Sequence, residues 1–164
     1  MIGDILLVKN NTYFGGLIRK AVRSNYNHVG MFVDDEYLIE AKMRGVEKTH
    51  ISHFQELQTK GELEFIVCRF KKMSPGEKET MKNWLYQQIG CKYDFLQMII
   101  VGLYLLFRIK RIYPPLDISK AFICSELIGE ALHQVNQTFQ PHIHYENTNP
   151  ADIAYSSLIV QVRE

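Results

Sequence analysis

Three residues of this sequence carry the side chains needed for nucleophilic attack on a carbonyl: the thiol Cys124, the imidazole His28 and the carboxylate Glu40. Cys124 stands at the start of a helical pattern over Phe122–Val135, where Cys124, Leu127, Ile128, Ala131, Leu132 and Val135 recur at helical spacing. In the first turn of a helix the unpaired amides and the positive end of the dipole favour a thiolate. The same amides can receive an oxyanion formed at an attacked carbonyl. A thiolate nucleophile also needs a base, and a group that orients the base. His28 opens the strand-like run His28–Val33, and Glu40 lies in a second run, Tyr37–Ala41, after the acidic turn Asp34-Asp35-Glu36. If those three residues form the hairpin loop, Val33 faces Tyr37, Met31 faces Ile39 and Val29 faces Ala41, which makes one continuous apolar face. His28, Gly30, Phe32, Leu38 and Glu40 then share the other face, with His28 and Glu40 as diagonal neighbours. A two-residue loop would pair Val33 with Glu36 and put the two polar residues on opposite faces. The three-residue loop gives the cleaner apolar face and is the expected register.

The other thiols fit blander roles. Cys68 lies mid-strand between Val67 and Arg69 and is expected in the core, and Cys91 falls in a loop with no base in view. Three scattered cysteines with no C-x-x-C pair exclude a disulfide framework and a zinc ribbon. His142-x-His144 and His50-x-x-His53 have metal-compatible spacing but no third ligand in pattern, so they read as surface loop residues. No metal and no cofactor are expected. The opening Met1-Ile2-Gly3-Asp4 lacks the basic start of a signal peptide, which points to a reducing, cytoplasmic location unless the protein is released by another route.

The elements that must position these groups follow from the rest of the chain. Its 164 residues, 46% apolar and 23% charged, suit one folded domain spanning 1–164, with no repeat or linker. Nineteen basic residues against 18 acidic ones leave a net charge of +1 and offer no global field for gripping nucleic acid. Asp4–Val8, Glu64–Phe70 and Ser157–Val162 read as further strands, and Phe14–Arg23 as an amphipathic helix with its basic residues outward. The stretch around His53–Leu57 is mixed in character. Ser74-Pro75, with Glu77 following, signals a helix that continues over Lys78–Ile89 and is closed by Gly90. Asn149-Pro150-Ala151-Asp152 opens a short helical turn. Phe95–Ile109 is the most apolar segment; it is shorter than the ~20 residues of a membrane span and contains Arg108, so a buried helix is expected there. Tyr113-Pro114-Pro115 must end it. The neighbouring Arg108, Lys110 and Arg111 make residues 95–111 a candidate for weak membrane or lipid contact. Strands interspersed with helices give an α+β fold.

Five segments taken in order resemble a known family: Gly3-Asp4-Ile5-Leu6, Asn27-His28-Val29-Gly30-Met31-Phe32, Tyr37-Leu38-Ile39-Glu40-Ala41, Lys92-Tyr93-Asp94-Phe95 and Phe122-Ile123-Cys124-Ser125-Glu126-Leu127. The chain is similar to the circularly permuted, papain-like branch of the NlpC-type cysteine peptidase superfamily, in particular its YiiX/YebB-like members. Ordinary NlpC-type enzymes have the cysteine helix first and the histidine strand later, whereas here the order is reversed. The resemblance implies a papain-like sheet packed against helices with the cysteine at a helix N-terminus. It implies Cys124 as nucleophile, His28 as general base and Glu40 as the residue orienting the imidazole, with Tyr93 and Asp94 at the substrate cleft. On residue type alone, Asp94 also suits a helix cap and Tyr93 a packing position beside it. The activity implied is hydrolysis of an amide in a small peptide or acyl-amide substrate, such as a cell-wall peptide. A lipid-directed thiol acyl hydrolase or acyltransferase, or a binding module of the same fold, are the alternatives. The Asn-Cys-Glu-His stretch of the lecithin:retinol acyltransferase group is replaced here by Ile123-Cys124-Ser125-Glu126.

Overall fold

The computed structural model describes residues 1–94, 121–142, 144 and 148–162. The apolar helix expected over 95–109, its Tyr113-Pro114-Pro115 stop and the lipid-contact segment 95–111 lie outside the described residues.

Six antiparallel strands form the main sheet, in the order β4-β3-β2-β1-β5-β8. They are β1 (Ile5–Asn10), β2 (His28–Phe32), β3 (Tyr37–Lys42), β4 (Gly45–His50), β5 (Leu63–Phe70) and β8 (Ile159–Gln161). Alternation along each strand sorts the apolar side chains onto two faces. Ile5, Leu7, Val29, Met31, Ile39 and Ala41 join one buried cluster, while Leu6, Val8, Phe32 and Leu38 join a second. The first is completed by Met81 and Leu85 of α3 (Pro75–Gln88) and by Leu127, Ile128, Ala131 and Leu132 of α4 (Cys124–His133). The second is closed by Phe54 of α2 (Ile51–Thr59). Each of the larger side chains among them contributes about 1.5–3 kcal/mol when fully buried, so the sheet between its helical layers holds the site's framework. This is an α+β fold with an antiparallel sheet packed against helices, as expected.

The hairpin that carries the site has the three-residue loop. Met31 pairs with Ile39 and Phe32 with Leu38, and the Val33 N–H donates to the Tyr37 carbonyl at 2.9 Å. The Asp34 carboxylate accepts from the backbone N–H groups of Glu36 and Tyr37, which fixes the turn.

Elsewhere the structure adds to the sequence pattern or changes it. α2 occupies the stretch around His53–Leu57 that read as mixed, and β4, which the sequence pattern did not mark, precedes it. The pattern over Phe122–Val135 divides into β7 (Ala121–Phe122) and α4, with β7 pairing in parallel with β6 (Lys92–Tyr93). The helix near the start, α1 (Tyr13–Val22), does not turn all its basic residues outward. The Arg19 guanidinium folds back onto the Asn10 carbonyl, while Tyr13 stands 85% exposed. A capping box between Ser74 and Glu77 starts α3, and Gly90 at φ +89° follows its end, as the sequence suggested. The short α5 (Pro150–Ala154) is capped by Asn149.

Candidate active site

Cys124 is the first residue of α4, and Ile123 takes the N-cap position. Ile123 has no polar side chain to offer, and Glu126 performs half of a capping box by accepting the Ile123 N–H at 3.2 Å. The first intrahelical bond runs from the Leu127 N–H to the Ile123 carbonyl, so the helix provides no acceptor for the Cys124 and Ser125 N–H groups. The Ser125 hydroxyl donates to the Thr148 carbonyl at 2.7 Å and ties this helix start to the segment before α5.

His28 is the first residue of β2, paired with Val8 of β1. At this end of the sheet its ring interacts with the Cys124 thiol and, through Nε2, with Glu40 Oε2 at 2.5 Å. With Nε2 engaged by the carboxylate, Nδ1 is left for the sulfur. Glu40 is fully buried, a costly position for a carboxylate unless it is paired. Its Oε1 makes no hydrogen bond of good geometry but has the Lys42 ammonium 2.6 Å away as an ion pair. The β2–β3 register sets Gly30 opposite Glu40, and a Cβ at Gly30 would meet Leu38 Cδ1 at 2.4 Å and Glu40 Cβ at 3.3 Å. The glycine therefore leaves the space in which Glu40 sits.

The electrostatics match this geometry. Burial works against a charged His28, but the Cys124 sulfur and the Glu40 carboxylate outweigh it and raise the imidazolium pKa to about 10. Burial likewise opposes ionisation of Glu40, yet His28 and then Lys42 pull its pKa down to about 2. The stable state at neutral pH is an imidazolium held between a carboxylate and the sulfur.

Tyr93 and Asp94 arrive beside the cysteine by a separate route. Gly45, at φ +120°, admits the chain after α3 so closely that a Cβ there would lie 2.5 Å from the Cys91 carbonyl oxygen. The Val46 N–H donates to that carbonyl, the Gly90 N–H donates to the Val46 carbonyl, and both bonds are 2.9 Å. The chain then pairs as β6 with β7, and the Asp94 N–H donates to the Phe122 carbonyl two residues before Cys124. Burial, followed by the charges at Cys124 and Asp94, raises the Tyr93 pKa, so its phenol keeps its proton beside the thiol. Asp94 is buried. All five residues singled out in the sequence thus lie around the start of α4. Lys42 was missed; the available signal was its position two residues after Glu40, on the same face of β3.

The remaining candidates separate from this cluster. Cys68 is buried in the core, and burial together with the Asp4 carboxylate pushes its pKa up to about 11. Asp4 is itself held by the Arg69 guanidinium through Nε and a second nitrogen. His50 caps α2 by accepting the Ser52 N–H, and His53 packs edge-on to Phe54. His142 and His144 are exposed.

No protein-family model matches the chain, and no curated protein does. Among solved structures, the fold is shared with the metalloprotein YiiX of Escherichia coli O157:H7. The TM-score is 0.70 and the identity 16%, covering 100% of this chain and 97% of that one. The chain therefore has a YiiX-like fold.

Proposed function

We propose that this protein is a cysteine hydrolase that cleaves an amide bond through Cys124, His28 and Glu40, on a permuted papain-like fold. The observation that carries this reading is the His28 ring held between a buried carboxylate and a thiol at the start of a helix. The chain order, with the histidine on β2 and the cysteine on the later α4, supports the permutation.

The chemistry follows from the atoms. The Cys124 thiolate attacks the substrate carbonyl, and the oxyanion is received by the Cys124 N–H and a neighbouring donor. As the tetrahedral adduct collapses, the C–N bond breaks and His28 gives its Nδ1 proton to the departing amine. Neutral His28 then takes a proton from water, which attacks the thioester; the acid departs, and the thiolate–imidazolium pair returns. Glu40 keeps the ring aimed throughout. Tyr93 and Asp94 line the cleft, and the substrate is a small peptide-type or acyl amide.

YiiX is described as a metalloprotein, but the residues here do not fit a cation. Both Glu40 oxygens are engaged, one by imidazole and the other by an ammonium 2.6 Å away, which would repel a metal. Among the described residues no group of three or more His, Cys, Asp or Glu side chains is disposed to hold an ion.

The test is mass spectrometry after incubation with cell-wall stem peptides, lipidated peptides and phospholipids in parallel. An acyl adduct on Cys124 and amide cleavage that vanishes in Cys124→Ala are expected, with the fold intact. Cleavage undiminished in that variant, or turnover of phospholipids alone, overturns the reading.

A further inference from the structure

Glu40 and Glu47 face each other directly across the β3–β4 pair, an arrangement of like charges that destabilises a sheet unless something lies between them. Lys42 fills that position. Its Nζ sits 2.6 Å from Glu40 Oε1 and 3.0 Å from Glu47 Oε1, and it donates to the Thr49 hydroxyl at 3.2 Å. The ammonium also lies 5.7 Å from the centre of the Phe54 ring, which α2 presents to it. The chain of charges runs from the His28 ring through the fully buried Glu40 to Lys42, whose side chain is 30% exposed, and out to Glu47 at 42%.

An ordinary interstrand ion pair would not need a carboxylate in this place. In the thiolate–imidazolium state that the hydrolase mechanism requires, the sulfur, the imidazolium and Glu40 together carry one net negative charge at the end of the sheet, with Glu40 withdrawn from water. A net charge in such surroundings is unfavourable, and the simplest relief is to take up a proton, which collapses the thiolate–imidazolium pair. One ammonium on the far oxygen of Glu40 makes the group of four neutral. It also stops the carboxylate from rotating, because each oxygen then has its own cationic partner. We infer that Lys42 is a positioning residue for the site: it balances the charge of Glu40 and holds that carboxylate on His28. The inference rests on the hydrolase reading above and deepens it.

The titratable groups around Lys42 are Glu40 on its own strand, His28 from β2 and Glu47 from β4. Beyond His28 lies Cys124 from α4, with the Tyr93 phenol near it and Asp94 near the phenol. The Lys42 ammonium is stabilised by its two carboxylates despite partial burial, so it stays charged across the range in which the cysteine works.

The experiment is the rate of Cys124 alkylation by iodoacetamide as a function of pH, followed at the Cys124 peptide by mass spectrometry. It compares wild type, Lys42→Gln, Lys42→Met and Lys42→Arg, each checked for folding by circular dichroism. Removing the positive charge raises the proton affinity of every group it faces. The acid limb of the profile is therefore expected to move up by about one pH unit or more in Lys42→Gln and Lys42→Met. Lys42→Arg, which keeps the charge, returns the limb towards wild type. A purely structural lysine would change stability and leave the limb in place. If the wild-type thiol is fast and the limb of folded Lys42→Gln superimposes on it, the positioning role is overturned alone. If the wild-type Cys124 reacts no faster than a free thiol at any pH, the hydrolase reading falls, and this inference with it.

Discussion

Cys68 and Cys124 lie in the same buried cluster, yet the charges around them are opposite in sign. Cys68 sits in β5 near the Asp4 carboxylate, which together with burial makes its thiolate unfavourable. Cys124 meets an imidazolium at the start of a helix. The partners of Cys124 leave a signature in stability as well as in reactivity. Glu40 titrates at about 2 in the folded protein against an ordinary 4.5, so its contribution is present above 4.5 and is lost as pH falls towards 2. His28 titrates at about 10 against an ordinary 6.5; its contribution is full below 6.5 and is lost as pH rises through 10. Thermal melts across pH should therefore show a plateau between 4.5 and 6.5, with the melting temperature falling on both sides. The alkaline fall should be absent in His28→Ala. A wild-type profile that keeps rising from 6.5 to 10 contradicts these assignments.

At the scale of elements, the β2–β3 hairpin was legible because alternation gave one register an unbroken apolar face. Once that register was set, His28 and Glu40 had to be diagonal neighbours. The capped starts of α3 and α5 were legible for similar local reasons, Ser74 with Pro75 and Asn149 with Pro150. β4 and α2 were not. Val46 is the sole large aliphatic side chain of β4, and α2 is capped by a histidine ring rather than by one of the usual small polar residues. The meeting of Tyr93 with Cys124 was legible only through family resemblance. It depends on the Gly45–Cys91 approach and on the two-residue β6–β7 pairing, neither of which leaves a periodic pattern. Lys42 escaped notice because a lysine at a strand end reads as solvated until Glu40 is known to be buried. The hairpin also gives the clearest test of an element's part in the site. Gly30→Ala puts a methyl against Leu38 and Glu40, and is expected to destabilise the fold by about 1–3 kcal/mol in denaturant unfolding. It should also slow Cys124 alkylation at neutral pH. An unchanged midpoint and an unchanged rate would show that the hairpin does not fix Glu40.

At the scale of the molecule, the sheet brings its chemistry to one end. His28 begins β2, Lys42 ends β3, Gly45 begins β4, and α4 delivers Cys124 to the same place. That end is built from strands and a helix start rather than from loops alone, which holds the three groups on rigid elements. The YiiX-like fold spans the whole chain at 16% identity, so the same architecture is reached with a largely different sequence. Among the described residues no helix is long and apolar enough to cross a membrane. The central claim is that this end of the sheet activates Cys124. Its most direct measurement is the rate of iodoacetamide modification of each cysteine at neutral pH in the folded protein, with His28→Ala alongside. Cys124 should react at least about tenfold faster than a model thiol and lose that advantage in His28→Ala, while Cys68 stays unmodified. A Cys124 that reacts no faster than the model thiol, or equally fast without His28, contradicts the account.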